Sequence, residues 1–174
     1  MSARNRLLAI AAAFTIWATI QPGTVSAQNS GVGGDGFTRL LWRGTDYRIS
    51  LWKLDGNLNL VLLREYGPYT GWIPIAITTA ANNNTYVLWR NTDGAISLWL
   101  VDANLNFVNS HLYGPFPGWI AKGLSTGGNS PNFRVIWRFT NGLASVWNVD
   151  GNLNFVTGPL YGPFFGWDAG YTTE

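Results

Sequence analysis

The chain of 174 residues contains no cysteine and a single histidine, His111. No disulfide can staple it, and neither a thiol nucleophile nor the usual Cys/His metal cluster can be assembled. Charge is scarce as well: Asp, Glu, Lys and Arg make up 11% of the sequence, against about 25% in a typical soluble domain. No stretch carries the 3.6-residue apolar period of an amphipathic helix. No run reaches the roughly 20 apolar residues that a membrane-spanning helix needs.

The longest apolar run is at the start. Arg4 and Arg6 precede a mostly apolar stretch from Leu7 to Ile20, and Val25-Ser26-Ala27 follows as a small-residue cleavage site. That order is a secretory signal peptide over residues 1–27, with cleavage expected after Ala27. The protein is therefore expected to be secreted or periplasmic, with no membrane insertion after cleavage. The leader holds two of the eleven Lys/Arg residues and none of the nine Asp/Glu. The remainder is thus neutral, and the basic stripe that nucleic-acid binding requires is missing.

What the chain has in quantity is tryptophan, ten residues of it, with nine phenylalanines and seven tyrosines. Nine of the ten tryptophans fall in three equivalent triples. Trp42, Trp89 and Trp137 stand at spacings of 47 and 48, as do Trp52, Trp99 and Trp147, and Trp72, Trp119 and Trp167. The shared unit reads LWRxTDGxISLWxxDxNLNxVxxxxYGPxxGW. Arg43, Arg90 and Arg138 correspond. Asp46 and Asp93 match Asn141, while Tyr47 stands where the other units have Gly94 and Gly142.

The pattern predicts an all-β domain of three four-stranded antiparallel repeats. Residues 28–36 are a linker or the start of a shared sheet, and residues 37–174 hold units of about 37–83, 84–131 and 132–174. Asp-Gly or Asn-Gly between two short apolar runs is a hairpin signal. The run after each YGPxxGW corner, such as Ile73 to Ala80, is read as the fourth strand. Both parities of the inner strands are apolar: Leu88 shares a face with Arg90, while Val87 and Trp89 take the other. Strands of that kind are covered on both sides. Meanders stacked face to face in units of about 40–50 residues are propeller blades.

Three blades do not close a ring of the usual four to eight. The chain begins late in one unit, at Gly31, and stops early in the next, after Trp167. Two chains joined end to end would make six blades, with the split sheet completed in trans. The alternative is a β-trefoil, which also has three repeats of this size.

The segments RGTDYRISLW (43–52) and RNTDGAISLW (90–99) resemble the hairpin between second and third strands in bacterial and fungal propeller lectins. That resemblance covers nearly all of the chain after the leader. It implies a sugar-binding protein with repeated sites between blades. Asn141 replaces the carboxylate in the third unit, which removes that contact there.

Sugar rings present apolar C–H faces between hydroxyls. An aromatic plane covers the faces, and Asp, Asn or Arg binds the hydroxyls. The candidate ligand-binding residues are therefore Trp72, Trp119 and Trp167, with Tyr69, Phe116 and Phe164 from the same corners, and Arg43, Arg90, Arg138, Asp46 and Asp93 from the hairpins. Each also has a purely structural use. A corner Trp can plug a seam between sheets, and Asp46 and Asp93 can cap their own turns. Glycans are the expected partners, with a homodimer as a second possibility; the alternative reading of the function is a non-enzymatic protein-interaction or assembly module, or a truncated propeller fragment.

No metal, cofactor or catalytic set is expected. Asp55, Asp102 and Asp150 open D-x-N-x-N segments, but Leu60, Phe107 and Phe155 stand where a calcium loop needs Gly, and Tyr66, Tyr113 and Tyr161 replace its bidentate Glu. A glycosidase needs two differentiated carboxylates, whereas the carboxylates here are mostly equivalent copies.

Overall fold

The computed structural model describes residues 34–126 and 132–168. The expected signal peptide and most of the 28–36 linker lie outside the described residues. Within them there is no helix. Every regular element is a strand, and every strand pair is antiparallel.

The first sheet is a meander of β1 (Thr38–Arg43), β2 (Ile49–Leu54) and β3 (Leu60–Tyr66). The second is β4 (Trp72–Thr79), β5 (Thr85–Asn91), β6 (Ile96–Val101) and β7 (Phe107–Tyr113). The third is β8 (Trp119–Thr126), β9 (Phe133–Phe139) and β10 (Ala144–Val149), edged by β11 (Phe155–Thr157) and β12 (Leu160–Tyr161).

Three repeats of four equal strands were expected, and the sheets carry three, four and five. The third sheet's last strand is interrupted at Gly158–Pro159, because proline has no N–H to give the ladder. Both of its pieces still pair with β10.

The run after each of the first two corners also behaves differently from the sequence reading. It pairs forward, not back. Ile77 of β4 lies opposite Val87 of β5, and Leu124 of β8 lies opposite Val135 of β9. Forward pairing needs only a tight turn, closed by the Ala80 N–H donating to the Asn84 carbonyl at 2.9 Å. Returning to the preceding sheet would require a crossover to the far side of β1. The YGPxxGW corner is therefore the link between sheets. Its Gly-Pro bonds are cis at Pro68, Pro115 and Pro163.

Hairpin chemistry follows the turn residues. Gly94 and Gly142 both take φ near +90°, the left-handed region where glycine is strain-free. Tyr47 holds the equivalent place at φ +65°. The second turn of every unit is capped from below. Asp102 accepts hydrogen bonds from the Asn104 and Asn106 N–H groups at 2.8 Å, and Asp55 and Asp150 do the same in their units. These carboxylates are turn caps.

Two apolar layers hold the sheets together. Ile49 and Leu51 of the first sheet pack on Ile77, Val87, Trp89 and Leu105 of the second. Tyr86, Leu88 and Leu98 of the second pack on Phe133, Val135 and Leu153 of the third. Residues 85 to 89 of β5 are all buried, with alternate side chains entering the two layers. This is the two-sided burial expected from the apolar pattern. Each buried aliphatic or aromatic side chain contributes about 1.5–3 kcal/mol. The opening strands line up, β1 beside β4 and β4 beside β8, and no comparable packing joins the first sheet to the third among the described residues.

Candidate functional site

Among the described residues, the candidate residues meet at the corners. Each corner rests on the hairpin of its own sheet: the N–H groups of Tyr69, Phe116 and Phe164 donate to the carbonyls of Tyr47, Gly94 and Gly142. The aromatic ring then reaches to the following sheet. Tyr69 stands edge-on to Trp89 and Trp99, at 5.5 and 5.3 Å between centroids. Phe116 stands edge-on to Trp137 and Trp147, at 5.4 and 5.3 Å. Those are favourable aromatic geometries, and both rings are half-buried.

A second pair of bonds ties each seam. Thr92 donates its N–H to the Gly71 carbonyl at 3.2 Å, and Thr140 donates to Gly118 at 3.1 Å. The turn carrying Asp93, or Asn141, is thereby held against the corner that ends in Trp72, or Trp119. Trp72 and Trp119 are half-buried there, with Trp119 tilted against Phe139 at 5.0 Å. In these two seams the structural use of the corner aromatics dominates.

The third corner is different. Phe164 is 51% exposed and Trp167 is 76% exposed. Together with Arg138 and Asp168 they line a pocket of about 320 Å³, floored by Gly142, Leu143 and Ala144. Three expected residues thus converge: Arg138, Phe164 and Trp167. Asp168 was not anticipated. It stands where the other units have Ile73 and Ile120, and that break in the repeat was the available signal. Lys122 donates to Asp168 Oδ2 at 3.0 Å, and Arg138 Nε lies 3.5 Å from Oδ1. The Lys122 hydrogen bond holds the Asp168 carboxyl below the usual carboxylate range. The pocket therefore offers an apolar wall, an anionic acceptor and one cationic donor, Arg138, with Lys122 holding Asp168 from outside the lining.

The other expected residues lie apart from this pocket. Arg43 is exposed at the end of β1. Arg90 sits between Ile73 and Ile96 in the ladder, partly covered. Asp93 caps its turn by accepting from the Ala95 N–H at 2.8 Å. Asp46 accepts from the Arg48 N–H at 3.2 Å and from Arg48 Nε at 2.6 Å. That side-chain hydrogen bond lowers the Asp46 pKa. His111 stacks on Tyr113 at 4.3 Å, away from the pocket residues. No group of three or more His, Cys, Asp or Glu side chains is placed to hold a metal among the described residues.

No protein-family model matches the chain. No curated protein matches it. Among solved structures, the chain is similar to a protein of unknown function from Bacteroides caccae, with a TM-score of 0.48 and 8% identity over 80% of this chain. The match covers 48% of that protein, so this chain spans about half the length of its neighbour.

Proposed function

We propose that this is a secreted, lectin-like carbohydrate-binding protein, built as three blades of a β-propeller and carrying no catalytic activity. The observation that carries the reading is the third-corner pocket. An open indole face at Trp167 and a phenyl at Phe164 can cover the apolar side of a sugar ring. Arg138 and Asp168 supply a donor and an acceptor for its hydroxyls. A concave apolar site with a few converging polar groups is the general form of a small-molecule site.

The propeller reading draws support from the consecutive meanders and from the lining-up of β1, β4 and β8. The same features weigh against the trefoil alternative, which is a closed threefold arrangement. The neutral remainder after the leader makes nucleic acid an unsuitable partner.

A glycan array probed at high protein density tests the function. Binding to a defined glycan class, weakened about tenfold or more by Trp167→Ala, is the expected result. Blank arrays across all glycan classes would count decisively against it.

A further inference from the structure

We infer that Lys122 is a positioning residue of the third-corner pocket: from the bulge in β8 it fixes the Asp168 carboxylate as the acceptor that a sugar hydroxyl meets beside Trp167. The inference rests on the sugar-binding reading and assigns that site its acceptor.

Two breaks in the repeat carry it. The strings WIPIA (72–76) and WIAKG (119–123) align, so Lys122 stands where the second sheet has Ile75. The first two corners end in Gly-Trp-Ile and the third in Gly-Trp-Asp, so Asp168 stands where the others have Ile73 and Ile120. Two apolar positions have thus become charged, with opposite signs. The fold brings these two together: Lys122 Nζ donates to Asp168 Oδ2 at 3.0 Å.

Backbone geometry explains the reach. The ladder sets Ala121 opposite Trp137 and Gly123 opposite Ile136, and Lys122 bulges out between them. Ile75 bulges in the same way between Pro74 and Ala76. A bulge re-aims a side chain out of the regular alternation. Ile75 is turned into the layer between the second and third sheets, where it packs on the core. The same turn in β8 carries Lys122 to the third corner.

Position, more than stability, is what the pair supplies. The Lys122 side chain is 29% exposed and that of Asp168 is 55% exposed, and an ion pair so open to water adds little to the fold. A carboxylate so exposed would otherwise turn among its staggered rotamers. Arg138 does not hold it, because its Nε lies 3.5 Å from Oδ1 and makes no hydrogen bond. Lys122 lies outside the pocket lining, so its hold takes up none of the wall. Asp168 Oδ1 keeps the capacity to accept from a hydroxyl.

The charges that act on Asp168 are those of Lys122, on β8, and Arg138, on β9. Both favour the ionised carboxylate, and the Lys122 hydrogen bond is the largest influence. The acceptor therefore stays charged at acidities where an ordinary aspartate, with a pKa of about 3.9, takes up a proton. Sugar binding at this corner is acid-tolerant, and Lys122 confers the tolerance.

Lys122→Met keeps the length of the side chain and removes its charge, and Lys122→Arg restores the charge. A carbon-13 titration of the Asp168 carboxyl in the purified, sugar-free protein is the first measurement. The midpoint should rise in Lys122→Met and return toward the wild-type value in Lys122→Arg. The second is the glycan array read at pH 7 and pH 3.5, with far-ultraviolet dichroism confirming the fold at both. At pH 7 Lys122→Met should bind about threefold more weakly, since one staggered rotamer of three remains productive. At pH 3.5 it should lose about threefold more than the wild type does, since about a third of an ordinary aspartate stays ionised there. Lys122→Arg should follow the wild type at both. An unmoved midpoint, or a Lys122→Met pH profile that matches the wild type on a responsive array, overturns the inference and leaves the lectin reading standing. A blank wild-type array sinks the lectin reading and the acceptor role together, even where the midpoint moves.

Discussion

Tyr113 crosses the seam between the second and third sheets and donates its hydroxyl to the Leu153 carbonyl oxygen at 2.6 Å. The bond fixes the depth at which one sheet sits against the next, because Leu153 is fully buried at the end of that reach. Burial raises the Tyr113 pKa, so the phenol keeps its proton and remains a donor through the neutral range. Replacing Tyr113 with Phe leaves a carbonyl unpaired beside the core. The expected loss is about 1 kcal/mol of stability, measured by urea unfolding at fixed protein concentration. Tyr161→Phe, at the uncovered equivalent, should leave the stability of the single chain unchanged.

Tyr47 is strained where its equivalents are glycine. Its φ of +65° costs a non-glycine residue about 1–2 kcal/mol. Glycine relieves that strain but gives back about 0.5–1 kcal/mol through the freer unfolded chain. Tyr47→Gly is therefore expected to stabilise the first hairpin by roughly 0.5 kcal/mol net. Gly94→Ala should act in the opposite sense, since φ there is +90°. Thermal unfolding of the two variants gives the signs directly, and a stability loss in Tyr47→Gly would show that the ring's own contacts outweigh the backbone strain.

The repeat made much of this fold legible before any coordinates. The tryptophan triples gave the period, and the Asp-Gly and Asn-Gly pairs gave the hairpins. The two-sided apolar pattern around Leu88 gave the stacking of sheets. The direction of β4 was not legible. Ile73 to Thr79 is apolar on both faces and would fit an edge of either sheet, so only the shortness of the Ala80–Asn84 turn decides. The openness of the third corner was not legible either. LYGPFPGW and LYGPFFGW are nearly the same string, yet Trp119 is half-buried and Trp167 is 76% exposed. Burial belongs to the neighbour as much as to the residue. A sheet follows the second corner, and none follows the third among the described residues.

Asp35 makes the stability of the first sheet depend on acid. Its two carboxylate oxygens accept from Arg39 at 2.7 Å each, and Lys53 Nζ lies 3.0 Å away. The Arg39 side chain is 0% exposed. Arg39 foremost, with Lys53 and against the effect of burial, holds the Asp35 carboxyl well below the usual carboxylate range. A folded-state pKa below the unfolded one stabilises the fold above about pH 4, and that contribution is lost as the pH falls toward the folded value. Asp35→Asn should cost on the order of 2 kcal/mol at pH 7, since it takes the charge from the carboxylate that both Arg39 terminal nitrogens bond. The gap between variant and wild type should shrink as the pH drops from 5 to 2. A gap that stays constant over that range would mean the ion pair contributes nothing through charge.

Trp89 and Trp167 separate folding from binding within one residue type. Trp89 is 1% exposed and touches both Tyr69 and Trp99. Its replacement by Ala should cost about 3–5 kcal/mol and leave little folded protein. Trp167 is 76% exposed and forms one wall of the third-corner pocket. Trp167→Ala should change the unfolding free energy of a single chain by less than about 0.5 kcal/mol. A stacked ring contributes through its whole covered face, so the same change should weaken binding to the glycan found on the array by about tenfold or more, a difference of roughly 1.4 kcal/mol. Arg138→Ala, which removes a polar contact and leaves the aromatic wall, should weaken it less. Isothermal titration of the two variants against that glycan ranks the terms. Equal losses would place the ring stacking on another surface of the molecule.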